Sequence, residues 1–340
     1  MILAVESSCD ETALALVDEL GHVHFNICLS QIALHKKYGG VVPELASRSH
    51  FDALDVFSEK IAQEKLDISK ITAVAATMGP GLIGPLLVGS SFARGLAAAW
   101  QKPFIGVHHL RAHVASALLS DSKGVSLKER AQQIFPSLVL LVSGGHCMLL
   151  KVTPSLECEI LKTTSDDAAG ECFDKCAKLI GLPYPGGPSI QEQSLMCTQP
   201  SDIQLAADFA SKLPRPKSSV GFSFAGLKTA FRLLVEQDDR ARKNIPALSR
   251  ALEITISDTL LSVLKKVADE HDVGQLICCG GVSANLHLRK DLEHWAKQRD
   301  WNLHTVPLAY STDNAVMIAV AALVQGESLS EETVFPRGHL

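Results

Sequence analysis

His109-Leu110-Arg111-Ala112-His113 sets two imidazoles four residues apart. On a helix, side chains at i and i+4 share a face, so this spacing lets both rings reach one metal ion. Leu110 follows the first His where a helical H-E-x-x-H zinc peptidase has its general base, so a peptidase mechanism would lack a key group. A chain with 13 His also pairs them at this spacing by coincidence, and spacing alone leaves both readings open. A third ligand would come from elsewhere. Asp313, in Tyr310-Ser311-Thr312-Asp313-Asn314-Ala315, stands where a strand gives way to the last helix, and there an Asp reads first as an N-cap. Two His and one carboxylate together would form a set that suits Fe(II) or Zn(II) with positions open to substrate.

Glycine-rich turns form a second group. Leu141-Val142-Ser143-Gly144-Gly145-His146 follows an apolar strand, Pro185-Gly186-Gly187-Pro188 lies in a loop region, and Cys279-Gly280-Gly281-Val282-Ser283-Ala284-Asn285 joins a strand to a helix beginning at Ala284. Glycines at such joins let backbone N–H groups approach phosphates, and a helix start adds a favourable dipole. Each turn is weak by itself, since hairpins use Gly for conformational reasons. Asp10 and Glu11, in Glu6-Ser7-Ser8-Cys9-Asp10-Glu11-Thr12, occupy the first hairpin, where sugar kinases carry an Asp-x-Gly-Thr phosphate loop. That motif is absent throughout, which weighs against a standard kinase or ATPase.

The elements that must position these residues follow from apolar periodicity. Strands are expected at Ile2–Val5, Ala13–Val17 and His22–Leu29, then a helix from Glu44 to about Glu64. Strand Ile71–Met78, helix Leu86–Trp100, strand Phe104–Val107 and helix His109–Leu119 complete a βββαβαβα block. A similar opening recurs at Leu138–Val142, Cys147–Val152 and Cys158–Thr163. It is followed by helices near Gly170–Ile180 and Ala247–His271, strand Gln275–Cys279, helix Ala284–Arg299, strand Asn302–Val306 and helix Asp313–Gly326. This duplicated plan is that of the α/β actin, sugar-kinase and heat-shock-chaperone ATPase (ASKHA) fold, two lobes about a central cleft. Fold analogy locates a site without assigning a reaction. The expected lobes are 1–130 and 131–340, with the last helix packing back toward the first lobe. Residues 183–222, rich in Pro, Gly and Ser, read as loops with a small helical insertion, the whole insertion spanning about 183–245. The polar segment 120–135 reads as the crossing between lobes.

Composition narrows the classes. The chain has 340 residues, 46% of them hydrophobic and 20% charged, with a net charge of −5. So much apolar mass excludes disorder, and the length suits two lobes of roughly 150 residues. An acidic balance argues against a generally sticky basic protein, though not against a local basic patch. Candidate cations are Lys36, Lys37, Arg48, Arg94, Arg111, Arg215, Lys217, Lys228, Arg232 and Arg240–Lys243. The uncharged run 71–93 contains Pro80, Pro85 and several Gly and so reads as strand, loop and helix, with no membrane span. No signal or transit peptide is recognised at Met1–Glu6. Nine scattered Cys without a C-x-x-C fit a reduced, cytoplasmic setting, and Cys9 stands out for its polar turn.

Over nearly its whole length the sequence resembles the bacterial tRNA N6-adenosine threonylcarbamoyltransferases, the TsaD family. The matching motifs are Glu6 to Thr12, Tyr38 to Arg48 with His50, Gly79 to Leu82, His109 to His113, Val142 to His146, Asp166 to Glu171 with Phe173 to Lys175, Pro185 to Pro188, Phe222 to Lys228 and Gly280 to Asn285. The resemblance implies that His109, His113 and Asp313 hold one divalent metal, iron(II) in preference to zinc(II). It implies that Leu141, Val142, Ser143, Gly144, Gly145, Asp174, Gly187 and Asn285 hold the adenylate donor, threonylcarbamoyl-AMP, and that Asp10 and Glu11 support catalysis. The implied reaction moves the threonylcarbamoyl group to N6 of the adenosine beside the anticodon in tRNAs reading codons that begin with A. The implied partners, besides tRNA, are a paralogous TsaB-like protein of the same fold, a TsaE-like P-loop ATPase and an upstream TsaC/YrdC-like adenylate synthase. Arg111 departs from the family pattern and is expected to add positive charge beside the metal; Gln191 replaces an acidic residue that some relatives use toward the ligand. An ATPase or kinase reading rests on fold alone, and a metallopeptidase reading on the His pair alone.

Overall fold

Two five-stranded sheets carry the chain, with strand orders β3-β2-β1-β4-β5 and β10-β9-β6-β7-β8. The computed structural model describes all residues except 39, 121–123, 217–220, 272, 328–329 and 337–340, so Gly39 and Lys217 lie outside the described residues. Contacts divide the chain into two units: Met1–Pro136 with Val152–Glu159 and Val306–Leu340, and Ser137–Lys151 with Ile160–Thr305.

In the first unit, β1 (Ile2–Glu6), β2 (Glu11–Val17) and β3 (Val23–Ser30) form an antiparallel meander. The short α1 (Ile32–His35) leads to α2 (Pro43–Gln63), which Pro43 opens at the helix start, where its missing N–H costs nothing. Then come β4 (Ala73–Gly79), α3 (Ile83–Trp100), β5 (Phe104–His108) and α4 (His109–Ala115). Strands β1, β4 and β5 run parallel, and their continuous apolar runs are buried on both faces. Edge strand β3 alternates half-buried and exposed residues instead. One core layer joins Leu3, Val5, Leu14 and Val74 of the sheet to Phe57 of α2 and Ala93 and Ala97 of α3. Segment 120–135, expected as a crossing, contains α5 (Leu127–Ile134), closed by a Ser126–Glu129 capping box that composition alone did not suggest.

Helix α13 (Ala315–Gln325) is apolar all round and buried, packing on β1, β2 and α4. Beyond it the chain meets the open edge of β5, where Glu331 N–H donates to Gly106 O (2.9 Å), and then the end of β4, where Phe335 N–H donates to Met78 O (2.9 Å). That segment blunts an otherwise unpaired strand edge. Arg111 of α4 lies 3.5 Å from Glu331 of that segment and beside the Cys158 thiol, so it ties α4 to both.

The second unit is built on β6 (Ser137–Val142), β7 (Cys147–Val152), β8 (Cys158–Thr163), β9 (Gln275–Cys279) and β10 (Asn302–Thr305), with β6, β9 and β10 mutually parallel. Its helices are α6 (Ala169–Leu179), α7 (Gly186–Leu195), α8 (Pro200–Lys212), α9 (Ala225–Gln237), α10 (Asp239–Lys243), α11 (Ile245–Glu270) and α12 (Leu286–Gln298). The segment rich in Pro, Gly and Ser holds more helix than its composition suggests. Gly186, Gly187, Pro188 and Pro200 all fall in first turns, where Pro is tolerated, and α7 and α8 pack on the long buried α11. Among the described residues, no helix is long and apolar enough to cross a membrane.

Candidate functional site

Because β1, β4 and β5 are parallel, their carboxyl ends lie side by side, the usual place for chemistry in such sheets. Glu6 ends β1, Thr77 lies near the end of β4, and His109 follows β5 directly as the first residue of α4. His113, one turn on, is 1% exposed. The entry to α13 then brings Asp313 to the pair: its Oδ1 lies 3.5 Å from His109 Nε2 and 3.1 Å from His113 Nε2. The expected N-cap role of Asp313 belongs to its neighbour. Asn314 Oδ1 accepts from Met317 N–H (2.9 Å), and the Asp313 carboxylate faces the two imidazoles.

The three donors lie within 4.8 Å of one another. Both ring nitrogens of buried His113 make no hydrogen bond among the described residues, a cost that a coordinated ion would relieve at Nε2. With no ion, His109 carries the positive charge itself. Burial opposes its protonation, but the Asp313 and Glu6 carboxylates outweigh burial and raise it to about 9. Glu6 is held below the usual carboxylate range although burial pushes the other way, because the His109 charge and hydrogen bond prevail. A metal taking His109 Nε2 must therefore displace a proton.

The acidic hairpin belongs to the same unit. Its turn is pinned to α2 by His50, whose Nε2–H donates to Cys9 O (2.9 Å) while the Thr12 hydroxyl donates to Nδ1 (2.7 Å). The Asp10 carbonyl accepts from Gln31 N–H (2.9 Å), and Glu11 accepts from the Ser30 hydroxyl (3.2 Å). Burial, then the charges of Asp313 and Asp10, push Glu11 up to about 9. Burial and the neighbouring acids also raise Cys9, which keeps it a neutral thiol and removes it as a nucleophile.

In the second unit, Leu141 and Val142 are the buried end of β6, and Gly144 and Gly145 are exposed beyond it. The turn is closed by Ser143 N–H to His146 O (2.8 Å) and fastened to α6 by Glu171 N–H to Gly144 O (3.1 Å). The Asp174 carboxylate accepts from Gly186 N–H (2.6 Å) and so fixes the turn carrying Gly187. Asn285 is the N-cap of α12, accepting from Leu288 N–H (3.0 Å) and donating to Glu253 (2.6 Å), so that helix begins at Leu286 and not at Ala284. Gln191 accepts from Leu286 N–H (2.7 Å), which ties α7 to α12.

Gly170 is where α6 touches the Ser143–Gly145 turn. A methyl group there would lie 2.5 Å from the Ser143 carbonyl oxygen and 2.7 Å from Gly144 Cα. Gly170→Ala is therefore expected to displace the turn and to weaken binding of a phosphate-bearing ligand there about tenfold or more, read by equilibrium titration with AMP.

Several candidate cations are paired within the chain: Arg215 with Asp258 (2.7 Å), Lys228 with Asp167 (3.0 Å), Arg232 with Glu236 (3.6 Å) and Arg240 with Asp208 and Asp238. Lys36, Lys37 and Arg48 are exposed beside the acidic hairpin's supporting helix. Two functional groups received no role from sequence reasoning. Glu6 and His50 were visible as motif members only; a carboxylate closing a wholly buried strand was the available signal for the first.

A family model described as TsaD, tRNA N6-adenosine threonylcarbamoyltransferase, matches residues 22–320. The curated tRNA N6-adenosine threonylcarbamoyltransferase of Fervidobacterium nodosum is 41% identical over 332 residues, spanning 95% of this chain and 92% of the relative. The Burkholderia ambifaria protein of that name is 43% identical over 336 residues (96% and 92%), and the Cytophaga hutchinsonii one 40% over 330 residues (95% and 91%). Among solved structures, HypF from T. kodakarensis aligns with a TM-score of 0.56 at 12% identity, over 96% of this chain and 48% of that one. Full-length HypF in its phosphate- and nucleotide-bound form gives 0.52 at 11% identity, over 98% and 47%. These two likenesses bear on fold only: the α/β architecture is of the ASKHA type.

Proposed function

This chain belongs to the tRNA N6-adenosine threonylcarbamoyltransferase family, and from that premise we propose that its first unit is a metal-assisted acyl-transfer centre fed by a soluble adenylate donor. It is a transferase that modifies tRNA adenosine at N6. The observation that supports the proposed centre is the convergence of His109, His113 and Asp313 within 4.8 Å beside the acidic hairpin.

The donor is threonylcarbamoyl-AMP, a mixed anhydride whose leaving group is already good, so transfer needs no ATP and no Asp-x-Gly-Thr loop. The N6 amine attacks the carbamoyl carbon, the new C–N bond forms, the C–O bond to phosphate breaks, and AMP departs with the electron pair. His109 Nε2, His113 Nε2 and the Asp313 carboxylate would hold one divalent metal, iron(II) in preference to zinc(II). When bound, it supplies Lewis acidity toward carbamoyl or carboxylate oxygens. Asp10 or Glu11 supports the attack: Asp10 accepts the amine proton or orients the amine, and Glu11, kept protonated by burial and by the charges of Asp313 and Asp10, orients it. Leu141 to Gly145, Asp174, Gly187 and Asn285 hold the adenylate: the first through backbone N–H groups, the others by fixing the turns from which it is gripped.

Lys36, Lys37 and Arg48 are suited to contact tRNA phosphates in an otherwise acidic chain. The family resemblance suggests a cytoplasmic setting and three protein partners: a TsaB-like paralogue, a TsaE-like ATPase and a TsaC/YrdC-like synthase. Exposed Ile83 and Leu87 on α3 and Phe51 on α2 are the apolar groups available for the paralogue.

The test supplies purified protein with adenylate donor and tRNA, separately and together, and measures modified adenosine by nucleoside mass spectrometry. Product is expected only when both are present, without ATP once the donor is supplied. Product that requires ATP hydrolysis with purified donor present, or peptide cleavage that survives purification, would overturn the reading.

A further inference from the structure

The Glu6 carboxylate is 0% exposed at the end of a strand that is otherwise apolar. Its Oε1 accepts from Ser8 N–H (2.6 Å), and its Oε2 accepts from the Thr77 hydroxyl and from His109 Nδ1 (3.3 Å). Burying a carboxylate there contributes little to stability that apolar packing could not. The mechanism above gives it no role.

We propose that Glu6 is a positioning residue of the metal centre: by accepting the proton on His109 Nδ1 it fixes the tautomer and aim of that ring, so that Nε2 presents its lone pair toward His113 and Asp313. The inference rests on the metal-centre reading. Metal-bound imidazoles commonly donate their second N–H to a carboxylate, which orients the ring and raises its basicity. The geometry fits such a relay. His109 Nε2 is the nitrogen on the Asp313 side and Nδ1 the one on the Glu6 side. The Ser8 hydroxyl is also 3.3 Å from Nδ1, but a carboxylate is the stronger acceptor. Two fixed donors, the Ser8 backbone and Thr77, leave the carboxylate one orientation.

Glu6→Gln keeps the volume and inverts the chemistry. The Ser8 N–H cannot accept, so the new amide must turn its oxygen there and its NH2 toward Thr77 and His109. Thr77 can rotate its hydroxyl to accept, whereas His109 Nδ1 can accept only by moving its proton to Nε2, the nitrogen that would ligate.

The experiment measures Zn(II) affinity by chelator competition, with melting curves to confirm folding. Zinc-loaded wild type and variants are also compared by imidazole NMR. Glu6→Gln is expected to weaken Zn(II) by about 10–100-fold. The slowly exchanging His109 Nδ1 proton of wild type should be lost. Ser8→Ala should change affinity less than about threefold, on the same scale. If Glu6→Gln does not fold, Thr77→Val, which frees Oε2 to swing, is expected to give a smaller loss in the same direction. Unchanged affinity in a folded Glu6→Gln, in Thr77→Val where Glu6→Gln does not fold, or an equal loss in Ser8→Ala, would overturn the proposal. Wild type binding no zinc or iron would instead overturn the metal-centre reading itself.

Discussion

His113→Ala is expected to abolish metal binding and to lower tRNA modification about a thousandfold or more. The size follows from what the side chain does. One imidazole of a three-residue set would be lost, and a Lewis acid at an acyl-transfer centre contributes several kcal/mol to the transition state, each 1.36 kcal/mol being tenfold in rate. His113 is also buried against the core of its unit, so its removal leaves a void beside α13. Asp313→Asn separates the two effects: at 22% side-chain exposure it removes one negative charge and keeps the volume. Metal content by atomic emission and modified adenosine should fall together in both variants, while the melting midpoint of the metal-free proteins falls further in His113→Ala. Metal retained at one equivalent per chain in both would exclude these ligands.

Replacing Asp10 and Glu11 together by their amides is expected to slow transfer from purified donor by about 10²–10⁴, the range for losing a positioned general base. Metal content should stay at the wild-type level. Transfer at the wild-type rate would show that the hairpin acids take no part. Glu11 carries a second, opposite expectation for stability. Its carboxyl is pushed up to about 9 in the folded chain against about 4.3 when unfolded. Between those values the folded state holds a proton that the unfolded state has released, so this contribution is complete below about pH 4.3 and declines as pH rises toward 9. Metal-free Glu11→Gln should therefore melt higher than wild type at pH 8, with the difference vanishing near pH 4. A lower midpoint at pH 8 would contradict the burial and like-charge origin of the shift.

The elements were legible where apolar runs are long. The expected helix Glu44 to about Glu64 is Pro43–Gln63, and the expected strand Ile71–Met78 is Ala73–Gly79. Helices α7 and α8 were obscured because their Gly and Pro read as loop when counted by composition, whereas they occupy first turns. The spacing of His109 and His113 was readable, but Asp313 looked like a cap because Asn314, which does the capping, adjoins it. Only the family resemblance named it. The bonds from Glu6 to His109 and from His50 to Cys9 join residues far apart in sequence, and no local pattern encodes such pairing.

Helix α13 has a consequence for biosynthesis. Asp313 and the helix filling the first unit's interior emerge from the ribosome about two hundred residues after His113. At elongation speeds of about 5–20 residues per second that interval is about 10–40 s. During it β1, β2 and α4 lack the apolar partner that covers them, and the His pair lacks its carboxylate. The nascent amino-terminal segment thus exposes apolar surface for that interval, and the cluster of His109, His113 and Asp313 assembles only after residue 313 has been made.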